Sequence, residues 1–314
     1  MMSPNRLEPV RWHLPVGTNA AACMICTGTC HKDVVFGSYT YWKCANCFTA
    51  QVLPQPSPEH LKSYYDVYHL SEQGGGVYDE VEDRMRADFP AKVRMVIEYA
   101  RAEHPRLLDV GCGKGFFVRA ALDSHIRAEG IDLSRSGTEY AINTLGVKAT
   151  TGRIQDQKME GWKESFDVVT LWATIEHLSD PRSVIQAAYD CLKPGGILLC
   201  DTGLGHVVWE RFLPGHSQWY DAPQHLFVFS ENGLVRLLEQ CGFAIVHADT
   251  NFERSVVRRW VRWLRHFAVC IGGWAFLSPL LGTRGIQNMR QQSKWPLGRL
   301  ISIVAQKKVV AAHI

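Results

Sequence analysis

The chain reads as an α/β protein: a largely parallel, twisted sheet with helices on both faces, preceded by a small cysteine-bearing module. Three observations carry that reading. Residues 107–116, Leu-Leu-Asp-Val-Gly-Cys-Gly-Lys-Gly-Phe, end a buried strand and enter an apolar helix through glycines spaced by single residues. A second apolar run, Ala-Glu-Gly-Ile-Asp, closes on Asp132, about 20 residues on, where a β-α-β unit places a carboxylate that can accept both hydroxyls of a ribose. Near the N-terminus, Cys23, Cys26, Cys44 and Cys47 form C-x2-C, seventeen residues, C-x2-C, the spacing of a metal-bound pair of knuckles.

Size and composition agree. With 314 residues, 46% of them hydrophobic, the chain has room for one full α/β domain and a small appendage. A formal charge of +3 is too small to argue for nucleic acid, and no Asn/Asp-Pro-Pro-aromatic motif or long basic stripe points there either. Residues 1–17 carry prolines and charges but no apolar run, so no secretory signal is expected. Ten cysteines in such a chain read as thiols or metal ligands of a cytoplasmic protein.

The cysteine module comes first. Each C-x2-C makes a tight knuckle whose backbone N–H groups point at sulfur, and the β-rich stretch 34–42 between them folds back as a hairpin. Four thiolates close a zinc tetrahedron and leave no position for catalysis, so the expected zinc is structural. Cys30 and His31 are alternative ligands. A redox pair is the competing reading of C-x2-C, and two knuckles at this spacing disfavour it.

At residues 107–116 a side chain in place of a glycine would hold a nucleoside-like ligand away from the N–H groups that open the next helix. A dinucleotide fingerprint needs a third glycine where this chain has Phe116. An acidic residue, Asp109, lies two before the first glycine; it suits an ammonium and a sulfonium and would repel a pyrophosphate. The segment therefore resembles motif I of class I S-adenosylmethionine (SAM) dependent methyltransferases, with a Rossmann-like sheet. Residues 166–172 read as a fourth strand running into Glu176-His177-Leu178-Ser179-Asp180-Pro181, similar to the family's "Glu-His-x-x-Asp-Pro" segment. A helix over 182–192, stopped by Lys-Pro-Gly-Gly at 193–196, and a strand over 197–201 follow in the family's order. The resemblance spans about residues 105–250. By position it implies cofactor contacts at Asp109, Gly111, Cys112, Gly113, Gly115 and Asp132, an adenine held between Leu133 and Gly152-Arg153-Ile154, and Trp172 beneath the methionine portion.

A zinc ribbon ahead of such a core is similar to a group of bacterial methyltransferases that includes deoxysugar C-methyltransferases. In these the ribbon precedes a segment like Tyr64-Tyr65-Asp66-Val67-Tyr68. With the glycines at 74–76 and a helix over 79–102, that segment reads either as a lid over the acceptor or as a linker packing tyrosines on the core. The expected division is a ribbon over 1–55, a helical lid or linker over 56–104, and the methyltransferase domain over 105–314 with a helical insertion at 251–298.

Methyl transfer to a hydroxyl needs alignment, a dry site and a base. Of thirteen histidines, His225 lies between the fifth strand and the next helix, where acceptors reach this fold. The resemblance makes it the proposed base and His177 a second candidate; the competing role for His225 is to cap the helix entered at Ser230. The C-methyltransferases carry His-Glu-His there, whereas this chain has Pro223 and Gln224 ahead of His225, which favours O-methylation. Strands over 242–249 and 300–306 would bracket the insertion. Within it, 254–267 places its tryptophans and valines on one helical face and its arginines on the other, and 268–281 is nearly all apolar but too broken to span a bilayer. Two readings stand: a helical cap on the domain, or a peripheral contact of 254–281 with the inner membrane face. The activity expected is SAM-dependent methylation of a small-molecule or lipid-linked acceptor, a hydroxyl of a sugar, glycolipid or natural-product intermediate. The alternatives are C-methylation of a nucleotide-linked deoxysugar and a non-catalytic SAM-binding adaptor.

Overall fold

Leu107 on one face and Leu108 and Val110 on the other make an apolar strand broken only by Asp109, which only a strand covered on both sides can satisfy. The computed structural model describes residues 20–57, 59–61, 64, 77–156, 161–205, 219–251 and 299–309, and it places that strand in the interior of a seven-stranded sheet among those residues. In chain order the ribbon contributes β1 (Ala21–Ala22), β2 (Thr29–Phe36), β3 (Tyr39–Cys44) and β4 (Ala50–Val52). Helix α1 (Val77–Ala100) leads into β5 (Arg106–Val110), α2 (Phe116–Asp123), β6 (Arg127–Asp132), α3 (Arg135–Asn143) and β7 (Ala149–Thr151). After these come β8 (Phe166–Trp172), α4 (Pro181–Cys191), β9 (Leu192–Leu204), β10 (Phe227–Val228), α5 (Glu231–Gln240), β11 (Phe243–Asn251) and β12 (Arg299–Lys307).

The large sheet runs β11-β12-β9-β8-β5-β6-β7. From β7 to β9 the pairs are parallel; β12 is antiparallel to both its neighbours. Alternation along the strands builds two cores. Leu107 and Val168 face Phe89, Val93 and Val96 of α1 and Phe117, Val118 and Ala121 of α2. Leu108, Val169 and Leu171 face the other way, toward Val184, Ile185 and Ala188 of α4 and Leu234, Leu237 and Leu238 of α5.

Three expectations change in detail. Helix α4 starts at Pro181, N-capped by Asp180, whose carboxylate accepts from Ser183 N at 3.1 Å. It ends at Cys191, and Lys193-Pro194-Gly195-Gly196 belongs to β9 instead of a loop, with Gly195 in the left-handed region at φ 76°. The strand predicted over 197–201 is therefore thirteen residues long. The helix expected over 79–102 spans Val77–Ala100 and carries Pro90 inside it.

The ribbon is not a bead on the N-terminus. β2 and β3 form the expected hairpin around Gly37-Ser38, but the sheet continues β1-β2-β3-β4-β10, ending on a strand from the far end of the methyltransferase fold. Tyr41, Trp42 and Val52 of the ribbon and Phe227, Phe229 and Leu234 beyond it share one core. Among the described residues no helix is long and apolar enough to cross a membrane. The amphipathic stretch 254–267, the apolar run 268–281, Tyr65, Tyr68 and the glycines at 74–76 lie outside the described residues.

Candidate active site and metal centre

The glycine loop leaves β5 and is folded by its own backbone. Gly111 N and Cys112 N both donate to Ile131 O, at 2.8 and 3.2 Å, and Gly113 N donates to Asp132 Oδ2 at 2.8 Å. The other carboxylate oxygen of Asp132 accepts from Ser134 N at 2.7 Å, so one side chain holds both turns that rim the cleft. Two glycines are required here. Gly111 has φ 77°, and a Cβ on it would come 2.5 Å from the Thr174 side chain. Gly115, the N-cap of α2 at φ 79°, would meet Ala141 and Val147 at 2.8 and 2.9 Å.

Asp109 sits under this loop, 3% exposed, accepting from Thr170 Oγ1 at 2.7 Å. Burial pushes its carboxyl up to about 7, opposed by the Thr170 hydroxyl and the Lys92 ammonium. Lys92, from α1, is ion-paired to Asp201 at 2.8 Å and lies 4.6 Å from the ring centre of Trp172. Asp201 in turn accepts from Ala173 N at 2.7 Å. Lys92 and Asp201 escape sequence reasoning, because a lysine inside a long amphipathic helix has no local signature; an aspartate in the expected strand 197–201 was the only available hint.

The remaining predicted cofactor residues divide between surface and core. Leu133 is 55% exposed, an apolar side chain beside Asp132 on the open rim. Gly152 N donates to Asp132 O at 2.8 Å, and Arg153 is exposed. Ile154, Cys112 and Trp172 are buried. Ile154 can offer a ligand little but its backbone, the Cys112 sulfur packs over Gly130, and Trp172 stands edge-on to Phe117, centroids 5.5 Å apart. The indole Nε1 of Trp172 is buried without a hydrogen-bond partner.

On the opposite side of the β8 end, the two candidate histidines meet. Their ring centres are 4.9 Å apart. His177 closes a short 3-10 turn, Ile175–His177, and its Nδ1 lies 2.7 Å from Gln224 O. His225 Nδ1 lies 3.0 Å from Trp219 O. A carbonyl can only accept, so in each neutral ring the proton sits on Nδ1 and the lone pair on Nε2. Glu176 joins them: a ligand-type atom of each of the three residues lies within 4.8 Å of the others. Its carboxyl is buried, Oε2 has no hydrogen-bond partner, and burial raises its pKa against the opposing influence of His177. The helix-cap role weighed for His225 belongs to Ser230, whose hydroxyl accepts from Gly233 N at 2.9 Å.

The four predicted cysteines converge, with all four sulfurs within 4.8 Å of one another. Cys23 and Cys47 are 3.7 Å apart and Cys26 and Cys44 3.5 Å. A zinc tetrahedron with bonds of about 2.3 Å has sulfurs about 3.8 Å apart, so the set fits that ion. Ile25 N and Asn46 N point at Cys23 and Cys44 sulfur at 3.4 and 3.3 Å, as knuckles require. Cys30 pairs with Cys44 across the hairpin and is buried, and His31 is exposed; neither belongs to the cluster found among the described residues.

A family model described as a methyltransferase domain matches residues 83–248, the span that holds the glycine loop, Asp132 and both histidines. This chain belongs to the family of SAM-dependent methyltransferases. Among curated proteins, the ubiquinone biosynthesis O-methyltransferase of Pseudomonas putida (strain GB-1) is 35% identical over 117 residues, covering 36% of this chain and 50% of that protein. Its counterpart in Pseudomonas entomophila (strain L48) is 34% identical over the same shares. The chain spans about half the length of the curated relatives it matches. Among solved structures, the [4+2]-cyclase SpnF superposes with a TM-score of 0.53 at 19% identity, over 82% of this chain and 98% of that one. A candidate methyltransferase from Bacillus halodurans C-125 gives 0.50 at 20%, over 71% and 99%. These likenesses are of fold.

The cleft fits the family's cofactor on its own chemistry. Asp109 and Asp132 carry carboxylates of the kind an ammonium and a ribose need, Leu133 an exposed apolar side chain suited to a base, and Trp172 Nε1 is a buried donor without a partner. When bound, SAM supplies a methyl group activated on a sulfonium.

Proposed function

We propose that this protein methylates a hydroxyl on a small-molecule or lipid-linked acceptor, with His225 as the general base and the cofactor held by the glycine loop, Asp109, Asp132, Leu133 and the turn at Gly152-Arg153. The observation that carries the reading is the histidine pair. With Nδ1 committed to the Trp219 carbonyl, His225 has Nε2 as its proton acceptor, and that carbonyl steadies the imidazolium once the proton arrives. His177 stands beside it, the two ring centres 4.9 Å apart. Glu176 places a carboxyl beside the charge that develops.

Two further points favour oxygen over carbon as the nucleophile. Gln224 precedes His225 and cannot take a proton from a carbon acid, and the curated relatives carry O-methyltransferase names. Those names point toward a phenolic hydroxyl; the ribbon and the Tyr-Tyr-Asp-x-Tyr segment point toward a sugar, glycolipid or similar intermediate. We take a sugar-type hydroxyl as the first class to try and a phenol as the second. C-methylation of a nucleotide-linked deoxysugar predicts a label bound to carbon.

The test is incubation with isotopically labelled SAM and three acceptor pools, nucleotide-linked sugars, lipid-linked sugars and hydroxylated aromatics, with products read by mass spectrometry. Label on an acid-stable C-methyl group would overturn the oxygen assignment. Once an acceptor is in hand, His225→Ala should lower the single-turnover rate by about 10² to 10⁴ with SAM affinity within about twofold of wild type. A rate within about threefold, roughly 0.7 kcal/mol of barrier, would reject His225 as the base.

A further inference from the structure

The second cysteine knuckle and the acceptor-side loop are about 180 residues apart in sequence and are clamped together in space. β4 follows that knuckle and pairs with β10, Gln51 opposite Phe227 and Ala50 opposite Val228. Val52 N donates to Leu226 O at 2.9 Å, Ser230 N to Thr49 Oγ1 at 3.3 Å, and the Ser230 hydroxyl to the carbonyl of the metal-ligand position Cys47. Tyr41, three residues before Cys44 and fully buried, makes the most pointed contact. Its hydroxyl donates to the carbonyl of His225 at 2.6 Å and accepts from Asp221 N at 3.1 Å, while its ring stands edge-on to Tyr220 with centroids 4.9 Å apart. Burial drives the phenol well above its ordinary pKa, so the hydroxyl keeps the proton it donates. The methyltransferase fold holds the same loop from the other side, through Leu226 N to Glu176 O at 2.8 Å and Gly205 N to Phe229 O at 2.8 Å.

We infer that the ribbon is a brace for the acceptor loop: Tyr41 is a positioning residue that fixes His225 through its backbone carbonyl, and metal at the four cysteines keeps Tyr41, Thr49 and β4 pressed against residues 219–230. The inference rests on the reading of His225 as the acceptor-side base. Its physical basis is size. Apart from the sheet edge and core it shares with β10, a hairpin with two knuckles buries little surface of its own, so metal binding energy adds directly to its folding energy. Loss of the metal releases the strand that carries Tyr41, and the acceptor loop loses one of its two walls. Metal occupancy thereby governs the order of the acceptor side although the metal touches no substrate.

Hydrogen exchange read by mass spectrometry on the full chain tests this without an acceptor. Elemental analysis first establishes one zinc per chain, and calorimetry with S-adenosylhomocysteine gives the cofactor affinity. Tyr41→Phe should keep its zinc and bind S-adenosylhomocysteine within about twofold of wild type, while exchange at Asp221 rises about tenfold, the worth of one lost hydrogen bond. Zinc removal from wild type with a strong chelator should raise exchange across 39–52 and 219–230 together and leave 106–132 unchanged; this arm stands even if the variant fails to fold. Wild-type protection of 219–230 in Tyr41→Phe would overturn the positioning role. The same result in chelated protein, or chain as purified without zinc, would overturn the role of the metal. A uniform rise that includes 106–132 would reduce the ribbon to general stability and overturn both. If the exchange pattern holds and His225→Ala turns over normally, the brace survives and the base assignment fails.

Discussion

Asp109 shows how a side chain proposed to hold the cofactor can oppose stability. It is fully buried beneath the glycine loop with a hydroxyl and a lysine as its favourable neighbours and two further carboxylates, Asp132 and Asp201, acting against it. A carboxyl raised from 3.8 to about 7 binds its proton more tightly in the folded chain than in the unfolded one. Without cofactor, stability therefore falls as pH rises from about 4 to about 7, by up to roughly 4 kcal/mol at 1.36 kcal/mol per pKa unit. Asp109→Asn removes that cost. The variant should melt above wild type at pH 7.5 in the absence of SAM, with the gap closing toward pH 4.5, and should bind SAM about tenfold or more weakly, because the proposed charged hydrogen bond to the ammonium is lost. Melting curves at several pH values and calorimetry check both halves; a gap that widens at low pH would contradict the sign. Asp109 was legible from its place two before the first glycine, whereas its burial and its partner Lys92 were not, since both depend on how α1 crosses the sheet.

At the scale of elements, helix α5 shows packing overriding propensity. Its N-terminus is the one that sequence reasoning offered to His225, but the cap is Ser230, and Gly233 in the first turn lies against the ribbon. Replacing a helical glycine by alanine ordinarily stabilises by about 1 kcal/mol. Here a Cβ on Gly233 would overlap Thr49 Oγ1, which itself accepts from Ser230 N. Gly233→Ala should therefore destabilise by about 1–3 kcal/mol, and adding Thr49→Ala should recover part of the loss. Denaturant unfolding of the single and double variants reads the sign directly. The same limit applies to α4 and β9: Pro194 and the glycines were expected to form a loop after the helix, yet Leu192 pairs with Phe166 and the strand starts at once. Proline and glycine mark the end of a helix reliably, but they do not prevent an irregular strand where neighbouring ladders supply the hydrogen bonds.

For the molecule as a whole, the ribbon and the methyltransferase fold share a sheet and a core. Deleting residues 1–52 should leave β10 without a partner and uncover Phe227, Phe229 and Tyr220, all buried in the full chain. Exposing even two of these three aromatic side chains costs about 3 kcal/mol or more, equivalent to about 6–12 °C in melting temperature for a chain of this size. The truncated protein should melt lower by that margin or aggregate; an unchanged melting temperature in calorimetry would show that the two parts are independent after all.

Local spacing was enough for the class of the fold, the glycine loop, Asp132 and the clustering of the four cysteines, because each is a short-range device: a turn that needs glycine, a carboxylate one β-α-β unit later, knuckles that bring four sulfurs together. The two histidines were found separately, 48 positions apart, as residues of matching segments. Their meeting at 4.9 Å, the Glu176 carboxyl between strand end and loop, and the Tyr41 hydroxyl that ties His225 to the ribbon are products of chain crossings. No pattern along the chain encodes them, because contacts of that separation depend on the summed packing of every element between them.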